Sequence, residues 1–348
     1  WGASHQVKVF TPEGKFLRAI GNPGEPKAGP YDQNHMNHRW GITIDSKNQL
    51  WVAENDQLPR RVSIWSPDGK LTKAFYGPGK YGGGGTIDPQ DKNKFYYAQE
   101  KSGAMEFRLN WEKGTSELVS VYCRRNESNG KSVKLEAPET PVYHEGRRYF
   151  TNCYNSSPTS GSGAAVIFQD RDGIAQPVAA MGRVRGWEIF EEERFASRLP
   201  EGVAISPKNG DFPEDTFFLW CDTNGDAQIQ PEEVEIQKKD SRGVTVMSDL
   251  SFCVANFGGA YPATLGKAIR FAPVKFDERG IPRYDLSKGQ VMAENVKFSA
   301  SSGGSQMLSD GAGSVVLSLG SGPYDARSMS GGKSSEHGWS YPSLWPGL

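Results

Sequence analysis

Apolar and polar residues alternate in short runs along most of this chain, and Gly, Pro, Asn or Asp breaks the runs at short intervals. Alternation with a period of two marks half-buried strands, and the interrupting residues mark the turns between them. Residues 7–21 (VKVFTPEGKFLRAIG) and 62–77 (VSIWSPDGKLTKAFYG) each read as a strand, a Pro-Asp/Glu-Gly turn and a second strand. That is a β-hairpin by period and by turn chemistry. Looser copies stand at 105–114 (MEFRLNWEKG), 166–182 (VIFQDRDGIAQPVAAMG) and 274–282 (VKFDERGIP). A second hairpin type, WGITIDSKNQLWVAEN at 40–55, has relatives at 85–100, 141–155, 201–222 and, more loosely, 305–320.

Four strands in a repeat of about 40–55 residues predict propeller blades. Five such units are expected to begin near residues 40, 85, 138, 202 and 248. The hairpin at 7–21 supplies only the outer half of a blade, and 305–320 only an inner half. Paired, they complete a sixth blade and remove the open strand edges that invite aggregation. The expectation is therefore an all-β, six-bladed β-propeller over 1–320, closed by its terminal hairpins, with seven or eight blades if the chain is a fragment. Residues 185–200 (RGWEIFEEERFASRLP) read as a short helix inserted between blades, and 222–233 as a second insertion. The Gly/Ser/Pro/aromatic tail at 321–348 is expected to dock on the propeller or to lead to a further domain.

The pattern G-I-x-x-D-x-x-x-x-L-W-V-A, followed by V-x-[IV]-[FW]-x-P-[DE]-G-K-[FL], resembles the NHL repeat family. The likeness is close over 1–77 and recognisable at 85–114 and 201–222. It implies the ring but not its task, because NHL propellers include lyases, lactonase-like hydrolases and plain interaction domains.

Composition narrows the partners. The 348 residues include 41 Gly and 22 Pro, and the formal charge is −1 with no Lys/Arg run, so no basic footprint for nucleic acid exists. No apolar stretch approaches the roughly 20 residues of a membrane span. No signal peptide begins at Trp1, so one has been removed or the chain is a piece of something longer. Cys123, Cys153, Cys221 and Cys253 form no CxxC pair, and three of them sit in apolar strand contexts, which fits small buried residues more than disulfides.

The sharpest chemical motif is DTNGDAQIQPEE at 222–233. Asp222, Asn224 and Asp226 occupy positions 1, 3 and 5 of a calcium loop, Gln228 offers its carbonyl at position 7 and Glu233 its carboxylate at position 12. Ala227 replaces the usual Gly at position 6, where a left-handed backbone is favoured. A structural calcium ion is the cofactor expected. Polar groups at inner-strand ends point to one mouth of the ring: Glu54, Asn55, Glu100, Asn152, Asn155 and Asp222. The family resemblance implies that such a mouth can hold metal ligands and acid/base residues, which makes Glu54, Glu100 and Asn152 the catalytic candidates. His35 and His38 are spaced as a metal pair without a third partner, and His5, His144 and His337 stand alone. Asn126 and Asn155 begin formal glycosylation sequons. GPGKYG at 77–82 precedes a strand rather than a helix, so it lacks phosphate-loop geometry. HGWSYP at 337–342 faintly resembles a segment of quinone-dependent sugar dehydrogenase propellers.

These features favour a non-enzymatic binding or scaffold propeller of a secreted or periplasmic, bacterial protein. Its partner would be a protein, peptide or carbohydrate on a propeller face. The alternatives are a metal-dependent lactonase or lyase working in the channel mouth and, more remotely, a quinone-dependent dehydrogenase.

Overall fold

The computed structural model describes residues 4–37, 39–55, 58–77, 85–99, 103–124, 137–153, 163–201, 216–259, 265–296, 306–309 and 312–318. Two compact units divide the chain: 1–132 with 136–141 and 170–176, and 133–135 with 142–169 and 177–348. Among the described residues the fold is all-β, with short 3₁₀ turns, and no helix is long and apolar enough to cross a bilayer.

In the first unit, β1 (Val7–Phe10) and β2 (Phe16–Ile20) make a two-stranded hairpin, and β3 (Gly29–Pro30) is a short strand after it. A four-stranded antiparallel meander follows: β4 (Arg39–Ile44), β5 (Leu50–Glu54), β6 (Arg61–Trp65) and β7 (Leu71–Tyr76). The next sheet runs through β8 (Thr86–Ile87), β9 (Lys94–Gln99), β10 (Gly103–Asn110) and β11 (Thr115–Arg124), and β3 pairs on its outer edge. The two clearest repeats share one turn geometry. Gly14 and Gly69 take φ of 84° and 86°, and their N–H groups donate to Thr11 O and Ser66 O. Only Gly enters that region at little cost, which is why the Pro-Asp/Glu-Gly motif marks both hairpins. The motif's preceding Asp is structural as well. Asp45 accepts from Lys47 N, Gln49 N and Trp51 Nε1, and Asp88 from Gln90 N, Asp91 N and the Tyr96 hydroxyl. Ile20, Met36, Leu50, Val52 and Trp65 form the core between the N-terminal hairpin and the β4–β7 sheet.

The third sheet has six strands in sequence order: β12 (Thr140–His144), β13 (Arg147–Thr151), β14 (Ala164–Arg171), β15 (Ile174–Arg183), β16 (Phe217–Cys221) and β17 (Val234–Gln237). FFLWC at 217–221 is buried at all five positions, so both its faces are covered, and its two edges pair with β15 and β17. The blade start expected near residue 202 falls outside the described residues. The fourth sheet contains β18 (Ser241–Val246), β19 (Phe252–Phe257), β20 (Gly266–Phe271) and β23 (Gln290–Val296), with β21 (Lys275–Phe276) and β22 (Pro282–Arg283) as a hairpin between its last two strands. The last hairpin is β24 (Gln306–Ser309) with β25 (Val315–Ser318). It packs on β18 and β19 through Met307, Met247 and Cys253, and Met307 O accepts from Thr245 Oγ1 at 2.5 Å.

The expected helix at 185–200 is replaced by three 3₁₀ turns, Val184–Gly186, Glu188–Glu191 and Glu193–Arg198. Trp187 and Glu192 are extended between them, and this breaks the helical repeat while bringing Trp187, Phe190 and Phe195 onto Phe218 and Trp220. Residues 202–215 and the tail at 319–348 lie outside the described residues.

All four cysteines are buried, and none is in a disulfide. Burial pushes the Cys221 thiol up to about 11 and that of Cys253 up to about 12, so both stay protonated and unreactive at neutral pH. Four thiols are expected to react with a thiol reagent at pH 8 only after unfolding; rapid native labelling of any one would contradict this packing.

Candidate functional site

Of the three catalytic candidates, Glu54 ends β5 directly opposite Arg61 on β6. Both are 2% exposed. Glu54 Oε1 accepts from Arg61 Nε at 2.7 Å and from Ser63 Oγ at 2.7 Å, while Oε2 accepts from Asn37 N at 2.6 Å. Arg61 Nη1 and Nη2 donate to the carbonyls of Gln33 and His35, each at 2.8 Å. Its guanidinium also lies 5.7 Å from the centre of the Tyr31 ring. Burial raises the Tyr31 and Tyr76 hydroxyls, against the opposing pull of Arg61. With both oxygens engaged by three donors, Glu54 fastens the 33–37 segment to the sheet.

Asn152 is likewise consumed by the main chain. Its Oδ1 accepts from Val166 N at 2.9 Å and its Nδ2 donates to Ala164 O at 3.3 Å, which ties the end of β13 to the start of β14. Glu100, Asn155, His38 and His337 lie outside the described residues, as do Asn126 and the 337–342 segment. His35 sits between Gly24 O and Asp32, His5 between Met36 O and Glu25, and His144 stacks on Phe276 at 4.7 Å.

The 222–233 loop joins β16 to β17, whose pairing runs up to Trp220 and Val234. Asp222 is fully buried; Oδ1 accepts from Gly225 N at 2.6 Å and Oδ2 from Ala227 N at 3.1 Å. Asn224 Oδ1 accepts from Asp226 N, and Asp226 Oδ1 from Gln228 N. Ala227 takes φ 55°, the left-handed geometry expected of position 6, despite its side chain. Glu233 Oε1 accepts from Thr223 N, Thr223 Oγ1 and Asn224 N, and Oε2 from Trp220 Nε1. Asn224 Nδ2 donates to Asp226 Oδ2 at 3.1 Å and to Gln230 Oε1 at 2.9 Å. The backbone and the oxygen-bearing side chains therefore fit a calcium loop, whereas Glu233 faces the loop's own N–H groups instead of converging with the other acids. Among the described residues no three His, Cys, Asp or Glu side chains gather as a metal cluster.

Sequence reasoning missed the residues that grip this loop from outside. Arg283 donates to Asp222 O at 2.7 Å and Thr223 O at 3.2 Å, and Arg279 to Asn224 O at 2.5 Å and Thr223 O at 3.3 Å. Both pair with Asp277 at 2.9 Å. Burial opposes ionisation of Asp277, but the Ile281 N–H and the two guanidinium groups hold its carboxyl below the usual carboxylate range. Arg194 donates to Ile229 O at 2.8 Å and Arg198 to Val234 O at 2.6 Å. The signal is the dense run of ions in VKFDERGIPR, where the alternation shows only a loose hairpin copy. Gly225 is required at the contact, since a Cβ on it would fall 1.5 Å from Arg279 Nη1.

No family model matches the sequence, and no curated protein does. Among solved structures, a Bacteroides uniformis protein carrying a provisional 6-phosphogluconolactonase name aligns at 12% identity and a TM-score of 0.27, over 82% of this chain and 78% of its own. The PQQ domain of pyranose dehydrogenase from Coprinopsis cinerea aligns at 11% identity and a TM-score of 0.26, over 86% of this chain and 97% of its own. Likeness this slight bears on neither fold nor reaction.

Glu54→Gln leaves the buried Arg61 charge without its counter-ion, and breaking such a pair costs about 3–5 kcal/mol. Urea unfolding should register that loss; an unchanged midpoint would return Glu54 to the list of functional acids.

Proposed function

We propose that this chain is a non-catalytic binding scaffold of blade-type sheets, secreted or periplasmic in a bacterium, in which the 222–233 loop takes a structural calcium ion. The observation that carries the calcium reading is the loop itself. Oxygen-bearing side chains stand at 222, 224, 226 and 228, and Ala227 has already adopted the left-handed turn that such loops require. Loops of this kind in extracellular modules are filled at about 10⁻⁴–10⁻³ M calcium, a concentration typical outside cells. Bound there, the ion would replace the Asn224 amide as the group that the Asp226 and Gln230 oxygens face.

The binding reading draws on two features. Glu54 and Asn152, the described candidates for chemistry, are consumed by main-chain and ion-pair bonds. Ile42 and Ile44 on β4 are 61% and 58% exposed, although they lie opposite Val52 and Leu50, which are buried. An apolar row continuing beyond its core is the form that ligand-binding faces take.

Calcium at millimolar concentration should raise the Tm by a few degrees over chelated protein, and Asp226→Asn should abolish the rise. Asp226→Asn is the apt change because the amide keeps the Oδ1 that accepts from Gln228 N while removing the charge an ion would bind, whereas Asp222 uses both oxygens on loop N–H groups. Identical wild-type melts in calcium and chelator would end the calcium reading. On peptide and glycan arrays the wild type should give hits that Ile42→Asp/Ile44→Asp loses; hits that persist would place the binding surface elsewhere.

A further inference from the structure

Three consecutive peptide groups at the start of the 222–233 loop are each held from both sides by opposite charges. The peptide joining residues 222 and 223 presents its carbonyl to Arg283 and its N–H to Glu233. The next presents Thr223 O to Arg279 and Arg283 and the Asn224 N–H to Glu233. The third presents Asn224 O to Arg279 and the Gly225 N–H to Asp222. A guanidinium on each carbonyl and a carboxylate on each N–H polarise the same peptide dipole in the same sense, and charge-assisted bonds are roughly twice as strong as neutral ones. At the far end of the loop Arg194 and Arg198 hold Ile229 O and Val234 O.

The arginines are in turn anchored. Arg279 and Arg283 share Asp277, and Arg194 pairs with Glu192 at 2.7 Å. The turn that carries Arg279 is fixed by Tyr149, whose hydroxyl donates to Gly280 O at 2.6 Å, and by Gln169, which donates to Arg279 O at 2.8 Å. The N–H groups of residues 223 to 228 all donate to side-chain oxygens of Glu233, Asp222, Asn224 and Asp226. The loop's conformation is thus supplied by side chains.

We infer that Arg194, Arg198, Arg279 and Arg283 are the positioning residues of this loop: they hold the 222–234 backbone in its turned form without a cation, so that an entering calcium ion would rearrange side chains such as Glu233 and Asn224 rather than the main chain. The inference rests on the calcium reading only for which ion the turned backbone receives.

Hydrogen exchange of the 222–234 amides, measured on the full chain in chelator, tests it. Wild-type protein is expected to exchange slowly there, and Arg279→Gln and Arg283→Gln at least 10-fold faster, with the other strands unchanged. Should Arg283→Gln impair folding, Arg279→Gln carries the test alone, because its side chain is 44% exposed. Fast exchange in chelated wild type, slowed by calcium, would overturn the inference and leave the calcium reading standing. Variants as protected as wild type would overturn it too. A wild-type calcium titration without binding would end the earlier reading, while slow wild-type and fast variant exchange would still uphold the clamp.

Discussion

Main-chain polar groups outside the strand ladders must find partners, and in this protein side-chain ions provide them. Asp45 and Asp88 collect the N–H groups of the turns that start their sheets, and Asp277 and Asp285 do the same for Ile281 and Ser287. Arg61 closes the opposite account by giving two donors to the carbonyls of the 33–35 segment. The 222–233 loop uses both devices at once. A chain with little helix and many turns has many such groups to satisfy.

This explains why a charged side chain in a turn is a poor pointer to chemistry here. Glu54 ends an inner strand, where an acid facing a channel would stand, yet its hydrogen bonds make it a fastening between a loop and a sheet. Removing a buried carboxylate of this kind costs more than placing it there gained, because the partner charge stays behind. Asn152 follows the same logic with a neutral amide. Each would test as essential by substitution, and neither result would demonstrate catalysis.

Local features of the fold could be read directly from the residues. The hairpins at 7–21 and 62–77 follow from period-two alternation and a Gly at positive φ, and the turn-capping Asp of the repeat sits where the pattern puts it. Long-range pairing could not be read. Nothing local tells FFLWC to join β15 across an insertion that starts at residue 184, and alternation is mute in a strand buried on both faces. The extended backbone at Trp187 and Glu192 that replaces the expected helix is dictated by an aromatic cluster assembled from two segments. The calcium-type loop was visible as spacing, but its arginines come from 35 to 61 residues away in the chain, and a motif search along the sequence does not reach them.

The pairing of β3 with β11 has a consequence for the order of assembly. Gly29 and Pro30 meet Val121 and Ser120, and Ser120 Oγ donates to Gly29 O across 91 residues of chain. The meander β4–β7 lies wholly inside that closed loop, and its strand pairings are local. Closing a long loop is entropically costly, but the cost shrinks once the intervening chain is already compact. The meander is therefore the natural nucleus, and β3 docks as a late latch on an edge that β11 would otherwise leave open during synthesis.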